Sequence, residues 1–264
     1  MKINQITGLA LASLLASSVA SSAQATNNTF TPAQKKQTED VIHDYIIQNP
    51  EVLVQSLQGY QQKQITEQTQ KFKMIQQNSP KFANQLFHQT TDPVAGNPNG
   101  AITLVEFFDY QCPHCIDMTA TVEDAIKANP NLRIVFKEFP IRGPMSELAT
   151  RAALAAHQQG KYFPFHLALM GSKTEPLTEA IIYDLAKKAG LNVDQLKIDM
   201  KSKAVDQQIK TNYQLAKDLE IMFTPVLFIA KSNVTTSTKP EAIAFIPGQV
   251  SSAQLSDVLK KINE

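Results

Sequence analysis

Residues 101–139, AITLVEFFDYQCPHCIDMTATVEDAIKANPNLRIVFKEF, decide the architecture. The run 101–108 is almost continuously apolar and rich in β-branched and aromatic residues, the pattern of a strand buried on both faces. From Pro113 to Ala128 the period changes. Met118, Val122, Ala125 and Ile126 fall on one face of a helix, which Asn129-Pro130 stops. A second apolar strand is expected over 132–139. The result is a β-α-β unit, with Cys112 and Cys115 at the turn from strand to helix.

These are the only two cysteines among 264 residues. A Cys-x-x-Cys pair beside a β-α-β pattern points to redox exchange. Cys112 is expected at the helix N-terminus, with Pro113 in the first helical position. Free backbone N–H groups and the positive helix end favour a thiolate there. Cys115 lies one turn deeper and resolves the mixed disulfide that the outer sulfur forms. His114 adds a further donor near the thiolate, and a cation when protonated. A purely structural disulfide would close too small a loop to constrain the unfolded chain. Structural zinc needs about four ligands, and His43, His88, His157 and His166 show no paired spacing. Covalent haem needs a histidine directly after the second cysteine, where the chain has Ile116. No metal and no cofactor is expected.

The segment VEFFDYQCPHC (105–115) resembles the active-site segment of the DsbA-like thiol:disulfide oxidoreductases. The resemblance covers about residues 91–264. It implies an α/β thioredoxin fold with a helical domain inserted between strands, and an oxidising, thiolate-stabilised pair. Two further positions are similar. Thr224-Pro225, ahead of the strand expected at 225–230, matches the cis-proline site, where Thr224 backbone groups would pair with an extended substrate. Glu106, six positions before Cys112, matches a buried acid. Burial would raise its pKa and let it pass protons to and from Cys115. Without the resemblance, Pro225 reads as the first residue of a strand and Glu106 as a rim residue touching water.

The remaining pattern fits this frame. Residues 143–221 read as a mostly helical insertion, with Gly160, Gly171 and Gly190 where helices would end. Strands return at 225–230 and 242–248, expected as an antiparallel pair. A last helix opens on the capping box Ser251/Gln254 and carries Leu255, Val258, Leu259 and Ile262 inward.

Residues 1–25, MKINQITGLALASLLASSVASSAQA, read as a signal peptide cut after Ala25, which implies a periplasmic protein. Residues 26–90 read as an all-helical N-terminal segment. Thr31, Pro32 and Gln34 open its first helix, Val41, Ile42, Tyr45 and Ile46 line one face, and Asn49-Pro50 separates it from a second. Leu53, Leu57 and Tyr60, then Phe72, Met74 and Ile75, mark the second. Stripes so narrow need a second copy or the rest of the chain to cover them; self-association is expected, as a dimer. The Pro- and Gly-rich stretch 90–100 reads as the linker to the domain at 91–264.

Dimeric disulfide isomerases such as DsbC and DsbG also place an association domain first, and their threonine before the cis-proline is similar. The Cys-Pro-His-Cys motif is instead of the oxidase type. The function implied is the introduction of disulfides into exported proteins, with isomerisation alongside; the alternatives are an isomerase kept reduced, or a holdase chaperone or metal-handling module. Unfolded or misfolded exported proteins and a membrane redox partner are the implied partners. A net charge of +1 argues against nucleic acid.

Overall fold

The computed structural model describes residues 30–172 and 177–264. The expected signal peptide lies outside them. Among the described residues no helix is long and apolar enough to cross a membrane.

The chain divides into two compact units at Gln61/Gln62. In the first, α1 (Pro32–Gln48) begins at a capping box in which Gln34 N–H donates to Thr31 Oγ1 and Thr31 N–H donates back to Gln34 Oε1. Asn49 caps its end, and α2 (Glu51–Asn78) follows. No residue of α1 is buried. Val41, Ile42, Tyr45, Ile47, Leu53, Val54, Leu57 and Tyr60 all stand exposed.

The second unit is a thioredoxin fold. The last part of α2 leads through a 3-10 turn (Ser79–Phe82) to α3 (Ala83–Phe87), and β1 (Val94–Gly96) follows. Then come β2 (Ile102–Phe108), α4 (Pro113–Ala128) and β3 (Leu132–Glu138), the unit legible in the sequence. The inserted helices are α5 (Pro144–Gln158), α6 (Tyr162–Met170), α7 (Glu179–Lys188), α8 (Val193–Asp199) and α9 (Lys203–Asp218). The chain returns to the sheet with β4 (Val226–Lys231) and β5 (Ala244–Pro247) and closes with α10 (Ser252–Asn263), which starts on the expected Ser251/Gln254 capping box.

The strand order is β1-β3-β2-β4-β5. β2 runs parallel to β3 and antiparallel to β4, and β4 pairs antiparallel with β5. Every residue of β2 is buried, because both sheet faces are covered. Leu104, Phe108 and Ile134 pack toward α4, α10 and the insertion. Val105, Phe107 and Val135 pack toward α3 and α9.

The stretch 90–100 corrects the sequence reading. It is no free linker, because β1 pairs antiparallel with β3 as an edge strand, Val94 opposite Val135. Gly96 takes φ 73° there, and a Cβ would stand 2.5 Å from the Leu132 carbonyl oxygen, so only glycine fits. The division between units likewise falls at Gln61/Gln62 and not near 90. Ile75, Ala83, Leu86 and Phe87 are buried in the core on the α3 side of the sheet, with Phe72 packed against it. Met74, expected on the same stripe, is exposed.

Candidate active site

β2 ends at Phe108, and the chain turns through Asp109, Tyr110 and Gln111 before α4 begins. Cys112 is the N-cap of α4, with extended backbone (φ −86°, ψ 114°), and Pro113 follows in the first turn. Cys115 donates its backbone N–H to the Cys112 carbonyl (3.0 Å). Both cysteines are free thiols. The Thr224-Pro225 peptide is cis, and the Thr224 carbonyl accepts from Cys112 Sγ at 3.4 Å. The helix start and the β4 start, far apart in sequence, thus meet at one sulfur.

The two thiols are driven apart electrostatically. The Cys112 pKa is brought down from 9.0 to about 5, chiefly by a hydrogen bond from the Cys115 thiol; the Cys115 backbone N–H and the Arg142 charge add to this, and burial opposes it. Burial is the largest influence on Cys115 and pushes its thiol up. A low-pKa sulfur beside a high-pKa one is what directional thiol–disulfide exchange requires: one forms and leaves as an anion, the other stays protonated until called on as resolving thiol.

Glu106 is buried, not a rim residue. Burial raises its carboxyl from 4.5 to about 8, and the neighbouring Cys112 charge acts in the same direction. In the unfolded chain this carboxyl ionises above about 4.5, so from there to about pH 8 the native state holds one proton more than the unfolded state. The sign follows: relative to Glu106→Gln, stability falls as pH rises through that window, by at most about 1.4 kcal/mol per pH unit. Urea unfolding of both proteins from pH 5 to 8 checks this. A constant difference would show that Glu106 does not titrate in that interval.

Two expectations need correction. Cys112 is not an open outer sulfur: its solvent exposure is 0%, the same as that of Cys115, because the chain around Thr224 lies against it. His114 is not placed as a donor to the thiolate. It is exposed, and its Nδ1 lies 3.2 Å from Gln249 Oε1. Thr224 Oγ1 is buried without a hydrogen-bond partner, a donor that nothing in the described protein satisfies.

The sequence reading missed Asp109, Tyr110, Glu138 and Arg142. Glu138, at the end of β3, accepts from Tyr110 Oη (3.0 Å), Tyr162 Oη (2.8 Å) and Thr150 Oγ1 (2.8 Å). Burial raises its pKa to about 8 against those donors. The signal that exposed Glu106, an acid inside an apolar run, was present at Glu138 too. Among the described residues no group of three or more His, Cys, Asp or Glu side chains is placed to hold a metal ion.

The comparisons agree with this geometry. The model of the DSBA-like thioredoxin domain matches residues 103–260. The chain belongs to the DsbA-like thioredoxin domain family. The N-terminal domain of copper resistance protein ScsC matches residues 34–65, within α1 and α2. The crystal structure of BcfH from Salmonella enterica Typhimurium is similar at 30% identity over 88% of this chain and 97% of that one, with a TM-score of 0.65. A thioredoxin-like oxidoreductase from Silicibacter pomeroyi is 39% identical, covering 67% of this chain and 95% of its own, with a TM-score of 0.60. Among curated proteins, a Na(+)/H(+) antiporter NhaA 1 of Mycobacterium is 29% identical over 143 residues, 52% of this chain and only 23% of the antiporter's length. Cys112, Cys115, Glu106 and Thr224 all lie within the span that the family model matches.

Proposed function

We propose that this protein donates disulfides to exported proteins in the periplasm. The observation that carries the reading is the pairing of a depressed Cys112 thiol with a raised Cys115 thiol, under the Thr224 carbonyl. In the oxidised protein, a client thiolate attacks Cys112 Sγ. The Cys112–Cys115 bond breaks, and Cys115 leaves with its electron pair and takes a proton. Glu106, neutral below about pH 8, is the acid proposed to supply it. A second client thiolate then attacks the client sulfur of the mixed disulfide, and Cys112 leaves as the stabilised anion. The client dithiol is oxidised and the protein disulfide reduced, two electrons passing between them. Pro113 sets the helix start that presents Cys112, and Thr224 and Pro225 form the edge on which an extended client segment lies. A membrane redox partner reoxidises the pair.

Equilibration with glutathione tests the direction of exchange. A potential well above that of glutathione supports donation, because stabilising the reduced thiolate makes the disulfide the stronger oxidant. A potential near that of thioredoxin would remove the oxidase reading. Export is supported by the composition of residues 1–25; a mature N-terminus other than Thr26 would move the proposed cleavage site.

The exposed apolar residues of α1 and α2 support self-association, with a second copy as the occupant. They also favour a second reading, in which paired sites hold a misfolded client while its disulfides are isomerised. The mature chain is expected to sediment as a homo-oligomer, and a chain beginning at Gln62 as a monomer. Equal association states for both would defeat the proposal. Thiol trapping in cells separates oxidase from isomerase: a fully reduced pair points to the latter.

A further inference from the structure

The turn that carries Cys112 is tied to the loop between β3 and α5 by one buried side chain. Asp109 is fully buried. Its Oδ1 accepts from the Gln111 N–H (2.7 Å) and from Ser146 Oγ (2.7 Å), and its Oδ2 accepts from the Arg142 N–H (2.9 Å). One carboxylate therefore grips the residue before Cys112, the start of α5 and the backbone of Arg142. The same loop is pinned at its other end, where Phe139 N–H donates to the Phe108 carbonyl (3.0 Å) and the Tyr213 hydroxyl donates to the Pro140 carbonyl. Gly143 follows with φ 107°, a conformation that side-chain-bearing residues rarely adopt. The conformation of the loop is thus specified on both sides of Arg142, although the side chain itself is exposed.

We propose that Asp109 is a positioning residue for the exchange reaction, clasping the Arg142 loop to the cysteine turn so that the guanidinium stands as the cation beside Cys112. The groups that act on Cys112 are Cys115 from α4, Glu106 from β2, Thr224 from the β4 side and Arg142 from this loop, and Asp109 lies in the same turn, its carbonyl accepting from the Cys112 N–H (3.1 Å). Glu106 is neutral in the range where Cys112 titrates, and His114 is engaged by Gln249. Arg142 is the one cation among the influences that lower the Cys112 pKa, smaller than the Cys115 hydrogen bonds. The inference rests on the reading of Cys112 as the reactive sulfur.

The sign of the effect makes the clasp testable. Asp109 carries a negative charge near Cys112, so neutralising it without moving anything would favour the thiolate and lower the pKa. Loss of the clasp acts the opposite way. In Asp109→Asn the remaining carbonyl oxygen can keep Gln111 and Ser146, while the new amide faces the Arg142 N–H and releases it. Ultraviolet titration of the Cys112 thiolate is expected to show a rise of about half a pH unit in D109N and a comparable rise in R142Q. R142K, which keeps the charge, stays near wild type. Gly143→Ala meets no neighbour within 4 Å and strains only the backbone, so it probes the loop without touching Asp109. It is expected to raise the pKa as well, and to have no effect in the R142Q background.

An unchanged or lowered pKa in D109N overturns the clasp. An unchanged pKa in R142Q overturns it too, whether or not D109N folds. If wild-type Cys112 itself titrates near 9.0, the proposed function fails first, a result distinct from either.

Discussion

Cys112→Ser is expected to reduce oxidation of a dithiol peptide by roughly a thousandfold or more, to the level of the uncatalysed reaction with the buffer oxidant. The hydroxyl that replaces the thiol neither forms the disulfide nor leaves as an anion, and Cys115, the one cysteine left, has no second thiol to pair with. Cys115→Ala should fail differently. Cys112 keeps a thiol but loses the hydrogen bond that most lowers its pKa, and a mixed disulfide, once formed, has no resolving thiol. That variant is expected to accumulate covalent complexes with disulfide-bonded peptides, Cys112 attacking one peptide sulfur while the other leaves as a thiolate; these are detectable by mass under non-reducing conditions, and the free Cys112 thiol should titrate well above 5. Equal turnover by wild type and Cys112→Ser would end the proposed mechanism.

Lys137→Met is expected to destabilise the second unit by about 3–5 kcal/mol, a fall in Tm of roughly 10 °C. Lys137 and Asp92 form an ion pair with neither side chain exposed to solvent. Lys137 also donates to the Gln85 carbonyl, and Asp92 accepts from Gln208 Nε2 (2.6 Å). Burial lowers the Lys137 pKa and raises that of Asp92, each against the pull of its partner. Removing one member leaves the other charged and unpaired in the interior, which costs more than the pair was worth. The double variant Lys137→Met, Asp92→Leu should therefore recover most of the loss. A double variant as unstable as the single one would show that Gln85, Gln208 and the shape of the site matter more than charge balance.

The β-α-β unit, the inserted helices, both capping boxes and the cysteine turn were legible because each depends on local pattern: period, N-cap chemistry and helix stops within a few residues. β1 was not. Three residues flanked by proline and glycine carry no periodicity, and they become a strand only because β3 offers an open edge. The same limit hid Asp92. Its meaning as half of a buried pair depends on Lys137, 45 positions away. At the active site, Glu106 was readable as an acid in an apolar run. Asp109 sits in a turn, where aspartate is ordinary, and only the approach of Arg142 and Ser146 reveals its part. The exposure of Cys112 was misjudged for a related reason: the segment around Thr224 that covers it arrives from 112 positions away.

The placement of α3 and β1 bears on how the protein can be dissected. Residues 79–96 read from the sequence as association segment and linker, yet they cover one sheet face with Leu86 and Phe87 and supply the carboxylate that meets Lys137. A fragment cut at residue 90 would lay open that apolar face, and it would aggregate before its catalysis could be judged. The compact unit that keeps this cover begins at Gln62, and an inactive shorter fragment would say nothing about whether assembly is needed for turnover.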